Sequence, residues 1–148
     1  MSRKQQIKRI DKKFAILVKL KSNLTCRKCG EIFPIENGKI PELLDASHFI
    51  KRRYMLTRWD HKNVFAHCRN CHDFLEHNQA AFEHWVAIEG IMTPEEIMTT
   101  RQRATQTWKG YLDPIEAKID KQLKRLLPAF GALNDEVLIE IYEEIGRR

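Results

Sequence analysis

Four cysteines stand in an order that can assemble a metal centre. Cys26-Arg27-Lys28-Cys29-Gly30 and Cys68-Arg69-Asn70-Cys71 are two CxxC pairs. Two thiolates spaced this way leave one tight turn toward the same point, which suits a tetrahedral ion. Gly30 fits the turn, which needs a residue tolerant of positive φ. Structural zinc is the expectation. An iron–sulfur cluster and four unmetallated thiols are the alternatives. The 38 residues between Cys29 and Cys68 exceed the ~15–20 of a simple zinc ribbon. A structured insertion is therefore expected: a knuckle, a β-hairpin, then a helix whose first turn supplies the second pair.

Inside and just after that insertion stand His48, Asn63 and His72, spaced H-x14-N-x8-H. Phosphodiester hydrolysis needs a base to deprotonate water, a fixed geometry and a cation for the developing charge. Neutral imidazole is a suitable base near pH 7. A base on the first strand, an amide on the second and a ligand on the following helix would face one cleft. His61, His67 and His84 read as structural or incidental, with a phosphate contact as the alternative for His67, which directly precedes Cys68. Trp59, in the hairpin loop, reads equally as loop packing or as a stacking surface for an unpaired base.

These residues need elements to position them. Ile7, Ile10, Phe14, Leu17 and Val18 give residues 3–21 one apolar helical face. Residues 23–44 are irregular, with Gly30, Pro34, Gly38 and Pro41 as breakers. Short apolar runs at 46–51 and 63–68 predict two strands. Residues 71–90 predict one helix, with Phe74, Phe82, Trp85, Val86 and Ile88 as core. Thr93-Pro94 and Asp113-Pro114 each place a cap residue before a proline, marking two helix starts. The second helix carries Ile115, Ile119, Leu123 and Leu126 and stops at Pro128. A last helix follows Asn134, with Val137, Leu138, Ile141, Tyr142 and Ile145 as its stripe. These stripes are expected to pack, and they leave a homodimer open.

Composition bounds the partners. The chain has 148 residues and a net charge of +6. Residues 1–21 hold eight Lys/Arg against Asp11 alone. Residues 48–72 hold Lys51, Arg52, Arg53, Arg58, Lys62 and Arg69 against Asp60. Such basic stretches suit a polyanion such as nucleic acid. No apolar run approaches the ~20 residues of a membrane span, and no signal-peptide pattern opens the chain. A cytoplasmic setting is expected, where metal binding is a better use of four cysteines than disulfides.

The stretch DASHFIKRRYMLTRWDHKNVFAHCRNCH resembles the HNH endonucleases, whose ββα-metal motif follows this spacing and is often stapled by two CxxC pairs. Within that group it is similar to the phage NinG/Rap recombination endonucleases; compare Asn78, Phe82 and Gly90. The HNH resemblance covers about residues 24–80, and the NinG-type likeness extends to about 125. It implies an α+β chain: a zinc-stapled treble-clef core over 23–90, a basic helix over 1–22 and a helical region over 91–148. It implies His48 as general base, Asn63 as the orienting amide that holds the base or the hairpin, His72 as ligand of a catalytic Mg2+ or Mn2+, and Cys26, Cys29, Cys68 and Cys71 as structural zinc ligands. DNA would be the substrate, with branched recombination intermediates suggested and a host cytoplasm as the setting if the chain is phage-encoded. Many members carry Asp or His directly before the base, where this chain has Ser47. Asp45 would then reach the ion only through a kink. Glu76, one helical turn after His72, is the expected second ligand, and His77 is close by. Lys51, Arg52, Arg53, Arg58, Lys62 and Arg69 are the expected phosphate contacts. Two other classes stay open: a non-catalytic zinc-finger module that binds nucleic acid, and an interaction protein built on the acidic C-terminal helix.

Overall fold

A capping box starts the first helix. Ser2 Oγ accepts from the Gln5 backbone N–H, and the Gln5 side chain returns a bond to the Ser2 backbone N–H. The computed structural model describes residues 1–146. Helix α1 spans Arg3–Lys21 and buries Ile10, Phe14, Leu17 and Val18. It ends in a turn where Asn23 and Leu24 both take positive φ, and Leu24 N–H bonds back to the Lys19 carbonyl. That reversal delivers the chain to Cys26.

Strand β1 (Leu44–His48) pairs antiparallel with β2 (Val64–Cys68), Ala46 opposite Ala66 and His48 opposite Val64. Between them lies a short helix, α2, Met55–Arg58. β1 starts two residues before the expected run and stops at His48. Phe49 and Ile50 leave the strand because their N–H groups are taken by Asn63, through its carbonyl and its side chain respectively. The hairpin separates two cores. Leu44, Val64 and Ala66 pack toward α1. Phe65 packs toward Phe82, Trp85 and Val86. β2 is thus buried along its whole length.

The single helix expected over 71–90 is two: α3 (Arg69–Glu76) and α4 (Gln79–Ile88). Asn78 breaks it. Its backbone leaves the helical region (φ −134°) and its side chain donates to the Phe74 carbonyl. The break turns Phe82, Trp85 and Val86 onto the hairpin, and leaves Phe74 and Ile88 exposed rather than in the core.

Helix α5 (Pro94–Ala104) starts as expected, Thr93 Oγ accepting from Glu96 N–H. Helix α6 (Leu112–Leu126) starts at Leu112, before the expected cap, and Asp113 instead accepts from Gln6 of α1. A 3-10 turn over Leu127–Phe130 leads to α7 (Asp135–Gly146), which buries Ile141 and Ile145 but exposes Tyr142. Two features tie these helices back. Lys13 is almost fully buried and bridges Glu116 and Asp120 of α6, each at 2.9 Å, while Arg9 grips Glu116 with two nitrogens. The cations hold the Glu116 carboxyl down at about 2, against the pull of burial. Gly38, at φ +68°, has Asn134 where a Cβ would stand, and its carbonyl accepts from Asn134 N–H. The chain is thus mixed α/β and helix-dominated, with a small two-stranded sheet. Among the described residues no helix is long and apolar enough to cross a membrane.

Candidate metal centre and histidine cleft

The knuckle brings the first cysteine pair to the hairpin's end. Cys26 N–H bonds the Glu31 carbonyl, Gly30 N–H bonds the Cys26 carbonyl, and Gly30 takes φ +80°. Arg27 N–H bonds the Ala66 carbonyl, docking the turn on β2. The second pair straddles the junction where β2 becomes α3. Cys68 caps that helix, its sulfur accepting from Cys71 N–H.

All four sulfurs lie within 4.8 Å of one another. Cys29 and Cys68 are 3.8 Å apart. Tetrahedral Zn–S bonds of ~2.3 Å place neighbouring sulfurs about 3.8 Å apart, so the four thiols gather within about 1 Å of the spacing a zinc ion needs. Burial raises the Cys26 thiol, but backbone N–H groups of Cys29, Cys68 and Lys28 outweigh it and bring it to about 7. Burial pushes the Cys71 thiol well up. An ion that takes thiolates would displace that proton.

The histidines face a different cleft, between α1 and the free edge of β1. Two adjoining cavities of about 330 and 310 Å3 both reach Ala46, His48, Arg52 and His72. His48 Nε2 lies 3.0 Å from the Arg58 carbonyl. A carbonyl only accepts, so Nε2 carries the proton and Nδ1 of the neutral ring keeps its lone pair. Burial lowers the His48 pKa and favours that neutral form.

Asn63 does not touch the imidazole, contrary to one expected role. It is fully buried and staples the connecting loop instead. Its amide donates to the Ile50 and Thr57 carbonyls, and its oxygen accepts from Ile50 N–H at 2.6 Å. The Thr57 carbonyl it holds is next to the Arg58 carbonyl that orients His48.

His72 meets Asp45, not Glu76. Nδ1 of His72 is 3.1 Å from Asp45 Oδ2, and β1 keeps its regular register there, so no kink is needed. Burial raises the Asp45 pKa, but His72 and Arg69 outweigh it and hold the carboxyl below its usual range. Glu76 lines the neighbouring part of the cleft. His77 turns back to the Asp73 carbonyl. Among the described residues, only the cysteines gather three or more metal-ligating side chains. Ser47 is fully buried, and its hydroxyl has no partner.

Of the six expected phosphate contacts, Lys51 and Arg52 line the cleft. Arg58 is locked on Asp11 by two bonds of 2.8 and 2.6 Å. Lys62 lies against Glu96, Arg69 bonds the Glu42 carbonyl, and Arg53 lies over its neighbour Tyr54. Trp59 donates to Asp11 and packs. His61 rests on Phe14, while His84 is exposed. His67 is fully buried among Phe65, Phe82 and Trp85, with both nitrogens unpartnered, and burial drives its pKa to about 3.

Sequence reasoning missed Lys19, which lines the cleft beside Asp45 and His48. Desolvation lowers its pKa. The signal was its place on the helical face shared with Ala15 and Asp11. No protein-family model, curated protein or solved structure matches this chain.

Proposed function

We propose that this chain is a metal-dependent endonuclease of the HNH type that hydrolyses phosphodiester bonds in DNA. The observation that carries the reading is the His48–Arg58 contact beside the His72–Asp45 pair. It leaves a neutral, oriented imidazole nitrogen free in a cleft that also offers two metal-ligating groups. On this reading the knuckle, hairpin and α3 are a treble-clef ββα core, with zinc on Cys26, Cys29, Cys68 and Cys71.

His48 Nδ1 accepts a proton from water as the oxygen attacks phosphorus. The Arg58 carbonyl, accepting from Nε2–H, stabilises the imidazolium that forms. Asn63 keeps that carbonyl in place through the loop. Lys51 and Arg52 offset charge on the phosphodiester. The P–O3′ bond breaks, the leaving oxygen is protonated by solvent, and the products carry 5′-phosphate and 3′-hydroxyl ends. Asp45 and His72, whose Oδ2 and Nδ1 stand 3.1 Å apart in the cleft, would be the groups to hold Mg2+ or Mn2+. Such an ion, held by these two groups, would supply Lewis-acid stabilisation of the developing charge.

One observation favours a second reading, a non-catalytic zinc-finger module. Among the described residues only two metal-ligating side chains meet in the cleft, and position 47 is a buried serine. The test compares zinc-loaded wild type and His48→Ala on plasmid DNA and on a branched junction, with Mg2+, with Mn2+ and with no added ion. Wild type is expected to cut only with added ion. His48→Ala should bind equally and cut about 10²–10⁴-fold more slowly. Wild-type cutting should fade only below the usual histidine range near pH 6.5, because the lowered pKa keeps His48 neutral to more acid pH. Binding without cutting by either protein would establish the zinc-finger module.

A further inference from the structure

The face of α1 that borders the His48 cleft continues past it. Asp11, Ala15 and Lys19 line the cleft. Arg3, Lys4, Ile7, Lys8 and Asp11 line a second groove of about 660 Å3. Asp11 and Arg52 belong to both, so the two form one trough. Lys4, Lys8, Ala15 and Lys19 are spaced four, seven and four residues apart. That spacing keeps them on one helical face.

The same helix carries its cations in two arrangements. Arg9, Lys12 and Lys13 pair with Glu116, Asp120, Glu140 and Glu144, and these pairs bind α1 to α6 and α7. Lys4, Lys8 and Lys19 make no ion pair among the described residues, and Arg3 lies over the Trp108 ring at 5.0 Å. Asp11, the acid of this face, is taken by Arg58 and by the Trp59 indole N–H. Like charges four residues apart on a helix repel. A row of them beside a cleft is favourable when a linear polyanion lies along it.

We propose that this trough holds the DNA backbone on one side of the bond to be cut, from Lys19 at the cleft to Arg3 at the far end. The proposal rests on the nuclease reading. Sixteen helical residues span about 24 Å, and at ~3.4 Å per nucleotide along one strand that covers roughly seven nucleotides. Lys4 and Lys8 are exposed toward its far end, where they would meet phosphates without taking part in the fold.

The test measures binding of a fluorescein-labelled DNA duplex by anisotropy across a salt series. The protein is the zinc-loaded full chain carrying His48→Ala, with no added divalent ion. Lys4→Gln/Lys8→Gln on that background is compared with Lys121→Gln/Lys124→Gln, which removes two exposed lysines from α6. Each phosphate contact contributes about 0.9 to the slope of log K against log salt. The trough variant should lose roughly 2 from that slope, and its Kd should rise on the order of ten- to thirtyfold near physiological salt. The α6 variant should stay within about twofold of its parent, as expected for cations that touch no phosphate. Equal weakening by both variants, no weakening by the trough variant, or no binding by the parent overturns the proposal. Cleavage by the two lysine variants with His48 intact separates this from the nuclease reading. Trough-dependent binding without any cleavage sinks the nuclease and spares the trough. Cleavage and Kd both unmoved in the trough variant sink the trough and spare the nuclease.

Discussion

The cysteine cluster closes one end of β1 and β2, and the histidine cleft runs along β1 from Asp45 to His48, yet they are built differently. At the Leu44–Cys68 end, four like side chains converge within 4.8 Å. Along β1 from Asp45 to His48, single groups of different chemistry line an open cleft, and among the described residues His72 and Asp45 are the metal-ligating side chains that meet there. Closed coordination suits a part that holds the fold. An incomplete shell suits a part that must admit another molecule. The cluster also spans the molecule's least regular segment, residues 23–43, where few backbone ladders exist. The cleft instead borrows its rigidity from α1 and from Asn63.

The largest expected effect is therefore at the cluster. Cys71→Ser should lower zinc content and unfold the hairpin with it, since metal-site free energies of ~10–16 kcal/mol are folding free energies in small zinc domains. Far-UV circular dichroism with metal analysis reads both. A folded, zinc-free variant would show that the cores suffice and would erase the contrast.

A smaller change is expected in the cleft. Asp45→Asn should leave zinc and fold intact but raise the Mg2+ or Mn2+ needed for half-maximal cutting by about 10–100-fold, the usual cost of disturbing a metal ligand or its support. Glu76→Gln should leave that titration where it was. The reverse order would return the second ligand to α3.

The smallest effect tests the histidine that belongs to neither site. His67 is buried without partners, and its pKa is lowered to about 3. The unfolded chain binds this proton below about 6.5 and the folded one does not. The neutral form's stability is thus complete above about 6.5 and is lost as pH falls toward 3, at on the order of 1 kcal/mol per pH unit. His67→Phe should flatten this acid loss in urea melts at pH 5 to 7. Parallel curves for both proteins would mean that the ring already shares a proton with a hidden partner.

What the sequence could reveal follows from how local each interaction is. The CxxC turns, the α1 stripe and the Thr93 cap depend on neighbours a few residues away, and they stand where expected. The His72–Asp45 pair depends on where β1 begins. Its first residue is Leu44, outside the expected run, where it pairs with Cys68, and Asn63 draws Phe49 and Ile50 out of the far end. The fates of Arg58 and Lys62 depend on Asp11 and Glu96, residues 47 and 34 positions away. Charge counting could not separate cations paired inside the fold from those facing outward. Lys4 and Lys8, both exposed, stand apart from Arg9, Lys12 and Lys13 only once α6 and α7 occupy one side of the helix.

That occupancy sets an order of events during synthesis. Lys13 reaches its buried partner Glu116 across 103 residues of chain. At ~5–20 residues per second, ribosomes need about 5–20 s to make that stretch. Through that interval the first helix emerges with its apolar stripe and both sets of cations uncovered. The newborn chain then presents an uncovered apolar stripe and unpaired cations to RNA and to other chains, and α6 covers the stripe and pairs Arg9 and Lys13 when it arrives.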